Sequence, residues 1–197
     1  MLLKQKNKTA FQMMNRKIIK PTPFGSVCVV WSVLKDFPRI FQVLLSRPGL
    51  SAEDRASALF PDFRKSTCEE IDKIAYSIKA YLEGENVKFS LNALDLSQCT
   101  KFQQSVLRAQ HAIPRGCVST YGLIAAHVGA PGGARAVGNV MAGNPFPLIV
   151  PCHRAVLSNL SLGGFQSGNE MKRALLEKEG VKFDEAGRVI CKRLHYG

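Results

Sequence analysis

The chain has 197 residues, of which 46% are hydrophobic, so it is long and apolar enough to bury the core of one large or two small globular domains. No run approaches the roughly 18 apolar residues of a membrane span. Six dispersed cysteines without a CxxC pair exclude a disulfide scaffold and a zinc cluster, and they suit reduced thiols, cytoplasmic in a prokaryote or nuclear in a eukaryote.

The formal net charge of +12 is unevenly placed. Residues 1–20 carry six Lys or Arg and no acid, without the apolar core or cleavage site of a secretory signal, and read as a disordered basic tail. Residues 21–100 are nearly neutral. Between Asp95 and Glu170 no carboxylate side chain occurs at all. One reading is a generally basic protein; the other is a surface that meets phosphates, where any carboxylate would repel.

In chain order, Phe24–Val33 and Ile40–Leu45 read as strands. Ser66–Glu83 reads as a helix with Ile71, Ile74, Ala75, Ile78 and Leu82 on one stripe and Ser66 or Thr67 as its cap. "VKFSL" reads as a further strand, and residues 92–100 as a linker between a structural domain (21–97) and a second domain (98–197). "KFQQSVLRAQHAI" suggests a helix with Phe102, Val106 and Leu107 inward. "STYGLIAAHVG" offers Ser119 or Thr120 as a cap and Gly129 as a stop. "APGGARAVGNVMAGNP" follows, with Pro131 near its first helical position and Asn144-Pro145 as its end. Two short helices across a Gly-containing turn fit a helix-turn-helix, or a plain helical hairpin.

On the second of these helices Ala134, Val137 and Met141 share one side. Gly132, Ala136, Asn139 and Gly143 share the other, with Arg135 at its edge. Exposed glycine costs a helix on the order of 1 kcal/mol relative to Ala. A smooth face is explained by close approach of something flat, such as the DNA minor groove, or by tight packing on another helix.

"NPFPLIVPCHRAV" places Cys152 between a proline and His153. A buried thiol is commonly inert packing, but an adjacent histidine can act as base, directly or through a water. "NEMKRALLEKEG" reads as a helix capped by Asn169 and ended by Gly180, with Met171, Leu175 and Leu176 inward. Glu179 falls on that inner side at the C-terminal end, where the helix dipole disfavours an anion, so it needs a cationic or hydrogen-bonding partner inside.

"RAVGNVMAGNPFPLIVPCHRAV", "LGGFQSG" and "LLEKEG" resemble the O6-alkylguanine-DNA alkyltransferase family, and "IPRGCVSTYGLIA" resembles the segment leading into its helix-turn-helix. The likeness covers about residues 100–182. It implies an α+β fold: an inactive, ribonuclease H-like N-terminal α/β domain, then a mostly helical domain with a winged helix-turn-helix. Cys152 is similar to the alkyl acceptor, His153 to its base, Glu179 to the carboxylate orienting the histidine, and Asn144 to the hinge of the active-site turn. Tyr121 resembles the tyrosine near the nucleotide, Arg135 the arginine filling the gap left by a flipped base, and Gly122 and Ser158 positions against DNA or ligand. Val150 would lend a backbone carbonyl to the guanine edge. Phe165 departs from the tyrosine common there.

The implied reaction is a single, self-inactivating transfer of a methyl or larger alkyl group from O6 of guanine, with O4 of thymine as a second candidate, without metal or organic cofactor. The implied partner is double-stranded DNA carrying O6-alkylguanine, met by a monomer away from any membrane. A thiol hydrolase using Cys152 and His153, or a non-catalytic helix-turn-helix regulator, are the competing classes.

Overall fold

The computed structural model describes residues 14–197 and is a mixed α+β structure. Strands β1 (Asn15–Ile19), β2 (Val27–Leu34) and β3 (Phe37–Leu45) pair antiparallel in sequence. The two-residue β4 (Arg64–Lys65) joins β1 in parallel, giving the order β3-β2-β1-β4. The near-continuous apolar run of β2 has a physical cause, because both its faces are covered. Cys28 and Val30 pack with Leu44 against Ala52 and Ala56 of helix α1 (Ala52–Leu59). Val27, Val29 and Trp31 face the main core together with helix α2 (Glu69–Glu83).

Three expectations in this half are corrected. The basic tail does not extend to residue 20, since Asn15–Ile19 is a strand hydrogen-bonded to β2; residues 1–13 lie outside the described residues. "VKFSL" forms no strand, and the chain turns there into a short 3₁₀ helix at Leu91–Ala93. Helix α2 starts at Glu69 with Cys68, not Ser66 or Thr67, in the cap position and no side-chain cap; the Thr67 hydroxyl donates to Asp72 instead.

The second half opens with α3 (Lys101–Ala112), closed at its N-terminus by a Thr100–Gln103 capping box. Val106 and Leu107 are buried as expected, but Phe102 is exposed. Helix α4 (Tyr121–His127) is capped by Thr120, whose hydroxyl accepts from the Leu123 N–H. Helix α5 spans Ala134–Ala142, so Pro131 lies in the preceding turn rather than in the helix. That turn requires Gly133, where a Cβ would stand 2.7 Å from the Ala130 carbonyl oxygen. Helix α6 (Asn169–Lys178) follows a long loop and begins behind Gly168, with Asn169 as its first residue and not its cap.

Strand β5 (Ser119–Thr120) lies parallel to β6 (Ala155–Val156), which ties the start of α4 to the residues just after Cys152. A small hairpin of β7 (Lys182–Phe183) and β8 (Val189–Ile190) closes the chain. One cluster of buried residues runs from Ile19 through Tyr81 and Val106 to Leu175, so the two halves share a core. Among the described residues no helix is long and apolar enough to cross a membrane.

Candidate active site

Cys152 opens a 3₁₀ turn, Cys152–Arg154, at the end of a buried segment. Asn144 shapes that segment: its side-chain carbonyl accepts from the Phe146 N–H at 2.9 Å, and its amide donates to the Val150 carbonyl at 2.9 Å. Gln110 and His111 of α3 hold the same segment from behind through the carbonyls of Pro151 (2.7 Å) and Ile149 (3.0 Å). Edge strand β3 adds a backbone bond, Val43 N–H to the Pro145 carbonyl at 2.8 Å. The cysteine is thus fixed by backbone and side-chain bonds from both halves of the chain.

Behind it lies a buried polar cluster. Glu179 receives Arg154 through Nε at 2.9 Å and Nη2 at 2.7 Å, His153 Nε2 at 3.1 Å and the Tyr81 hydroxyl at 2.5 Å. The partner required for a carboxylate at a helix C-terminus is therefore Arg154, bound at two of its nitrogens. Burial opposes ionisation of Glu179, but the hydrogen bonds from His153 and Arg154 outweigh it and hold the carboxyl well below the usual carboxylate range. Burial pulls the His153 imidazole down, against the opposing pull of Glu179. The His153–Glu179 contact is a hydrogen bond that the ring donates through Nε2 to the carboxylate.

Burial likewise pushes the Cys152 thiol up, with Asn144 and the positive charge of Lys172 acting the other way. Lys172 is fully buried on the inner face of α6. Its ammonium donates to the carbonyls of Ala155 (2.7 Å), Leu162 (2.5 Å) and Gly164 (3.4 Å), joining β6 to the loop that follows. Burial brings its pKa down to about 8. A thiol whose chain neighbour is an imidazole anchored by a carboxylate is an arrangement that can pass its proton to the ring, directly or through a water.

Cys152 reaches a cavity of about 780 Å³ whose wall also carries Tyr121, Gly122, Arg135, Asn139, Ser158 and Phe165. Four of the residues expected to meet ligand or DNA (Tyr121, Gly122, Arg135 and Ser158) therefore share one wall with the thiol. Arg135, Ala136 and Asn139 are exposed on α5, while Val137, Val140 and Met141 are buried. Gly132 and Gly143 are exposed at the two ends of this face. Arg47 joins the wall from the N-terminal half. Val150 is the exception. It is fully buried, and its carbonyl already accepts from Asn144 and from the Cys152 N–H at 2.8 Å, so both lone pairs are committed inside the turn. It offers no free acceptor to a ligand.

Sequence reading missed Tyr81 and Lys172. Both left a signal: Tyr81 lies three residues after Ile78 on the apolar stripe of α2, and Lys172 lies three before Leu175 on the inner stripe of α6. A polar group on a buried stripe has to find a partner.

A family model described as the DNA-binding domain of 6-O-methylguanine DNA methyltransferase matches residues 101–181. A methylated-DNA–protein-cysteine methyltransferase of Methanothermobacter thermautotrophicus is 42% identical over 58% of this chain, and the match spans 64% of that relative's length. The solved O6-methylguanine methyltransferase of Mycobacterium tuberculosis superposes with a TM-score of 0.67 at 32% identity, covering 85% of this chain and 93% of that one. The same organism's OGT in complex with DNA superposes at 0.64 with 30% identity, over 85% and 92% of the two chains.

Proposed function

The chain belongs to the methylated-DNA–protein-cysteine methyltransferase family, and we propose that it repairs DNA by moving an alkyl group from O6 of guanine to Cys152 in one irreversible turnover. The observation that carries this reading is Cys152 at the wall of a cavity walled by α4 and α5, backed by His153 and Glu179.

The chemistry follows from the cluster. A thiolate is a strong carbon nucleophile, and burial keeps the resting thiol protonated until substrate is in place. His153 takes the thiol proton, directly or through a water, and Glu179 stabilises the imidazolium that forms. The sulfur attacks the alkyl carbon, an S–C bond forms, and the C–O6 bond breaks with its electron pair going to the base. Tyr121 is a neutral donor for that oxygen, since burial raises its phenol and a thiolate at Cys152 raises it further. The proton lost by sulfur ends on guanine. The product is a thioether without an activated leaving group, so water does not restore the thiol and the protein reacts once.

A base inside a duplex cannot reach Cys152, so the target nucleotide is flipped into the cavity. The smooth exposed face of α5 suits the minor groove, and Arg135 at its edge fills the space in the stack. In this reading α3 to α5 form a winged helix-turn-helix, and β1 to β4 with α1 and α2 a ribonuclease H-like domain. The substrate is double-stranded DNA bound by a monomer, in a compartment that keeps Cys152 reduced.

The test is intact-protein and peptide mass analysis after incubation with duplex DNA containing O6-methylguanine. A stoichiometric gain of one methylene on Cys152, absent in Cys152→Ser, is expected. Turnover of a thioester without lasting modification would instead identify a hydrolase, and DNA binding without modification a regulator.

A further inference from the structure

Tyr81 carries the N-terminal half into the polar cluster behind Cys152. Tyr81 sits near the end of α2, is 3% exposed, and is separated from His153 by 72 residues of sequence. Its hydroxyl lies 2.9 Å from His153 Nε2 and 2.5 Å from Glu179 Oε1. Burial and the charge of Glu179 push the phenol up, so Tyr81 has a single proton that it keeps.

That proton has one consistent place. Glu179 is ionised and can only accept, so Tyr81 donates to it. The phenol oxygen then accepts, and Nε2, facing two oxygens that offer it no proton, must be the ring nitrogen that carries hydrogen. His153 Nδ1 has no hydrogen-bond partner among the described residues and is left as the basic nitrogen. The other charged groups facing the ring are Arg154, on its own segment, and Lys172 from α6.

A second contact keeps α2 in place. Arg115 donates to the Gly84 and Glu85 carbonyls just after α2 (2.7 and 2.9 Å) and to the Lys178 carbonyl at the end of α6 (2.6 Å). One guanidinium thereby clamps the C-termini of the helices that carry Tyr81 and lead into Glu179, where cations are favoured.

We propose that Tyr81 is a positioning residue of the Cys152 site, its hydroxyl sharing the Nε2–H of His153 with Glu179 and so holding the ring with Nδ1 free to receive the thiol proton. The N-terminal half is then part of the proton relay rather than only a scaffold. The inference rests on alkyl transfer to Cys152 as proposed above, but its structural claim can be read without any turnover.

The experiment is nitrogen-15 NMR of histidine-labelled protein, with single-turnover transfer from O6-methylguanine duplex at saturating protein, on wild type and Tyr81→Phe. Wild-type His153 should show the Nε2–H tautomer. In Tyr81→Phe, which keeps the aromatic ring, the Nε2–H resonance should shift, because Glu179 is left as the remaining acceptor of that proton. The saturated rate should fall about tenfold, the equivalent of one hydrogen bond, with half-saturating protein concentration unchanged. An unchanged Nε2–H resonance or an unchanged saturated rate would overturn the proposal, reducing Tyr81 to packing. Should Tyr81→Phe not fold, the wild-type spectrum decides alone, because a dominant Nδ1–H form refutes the assignment. If wild type shows no methyl transfer, the functional reading fails, while the Nε2–H resonance comparison still tests Tyr81.

Discussion

Replacing Arg154 by Met isolates the electrostatics of the buried cluster. Arg154 binds Glu179 at 2.9 and 2.7 Å and the Ile113 carbonyl at 2.6 Å, and both charged side chains are largely out of solvent. Methionine fills much of the same volume but leaves a buried carboxylate without its cation. Removing one partner of a buried pair costs about 3–5 kcal/mol. Glu179 keeps its bonds to Tyr81 and His153, which places the expected loss near the lower limit, about 3 kcal/mol. For a chain of this size that lowers Tm by roughly 6–12 °C. The pH dependence supplies the sharper test. In wild type the depressed Glu179 pKa contributes stability above the unfolded carboxyl value of about 4.3, and that stability is lost as pH falls. In the variant the Glu179–His153 pair has lost its cation and binds a proton at higher pH than in wild type. The proton relieves the variant, so the gap between the two proteins should narrow with falling pH. Urea denaturation at pH 7.5 and pH 4 measures both differences. A gap of the same size at both pH values would refute the claim that an uncompensated Glu179 charge is the cause.

Arg135→Ala should slow transfer from O6-methylguanine in duplex DNA at saturating protein, while transfer from the free modified base stays near the wild-type rate, because the free base needs no extrusion; an unchanged saturated duplex rate would make the arginine a phosphate contact only. Ala136→Glu places an anion on the exposed face of α5 and should weaken duplex binding without changing Tm, as read by fluorescence anisotropy across a salt series. Wild-type affinity in that variant would mean that α5 faces something other than DNA. Gly133→Ala forces a Cβ to 2.7 Å from the Ala130 carbonyl oxygen and should lower stability by roughly 1–3 kcal/mol in chemical denaturation. A neutral result would show that the α4–α5 turn yields easily.

Much of the site was legible because its signals are local. The stripe of α2, the Thr120 cap and the inward placement of Glu179 all depend on residues three or four apart, and helix geometry makes those neighbours. The demand that Glu179 find an internal partner also followed from its place at a helix end, although which residue would answer did not. The smooth face of α5 was readable for the same reason, since exposure of Ala136 and Asn139 follows from burial of Val137 and Val140 on one helix.

What only the tertiary structure decided are the contacts whose partners are distant in sequence. Asn15–Ile19 becomes a strand because β2 offers it hydrogen bonds, while "VKFSL", with comparable local preference, forms no strand pairing among the described residues and stays irregular. Val150 resembles a ligand-facing position until Asn144 and Cys152 are seen to occupy its carbonyl. Tyr81 joins residues 72 and 98 positions away, His153 and Glu179, only because Arg115 and the shared core bring the ends of α2 and α6 together. A one-dimensional pattern encodes which side of an element is apolar. It does not encode which element will cover that side, and the protonation state of a buried histidine depends on that covering element.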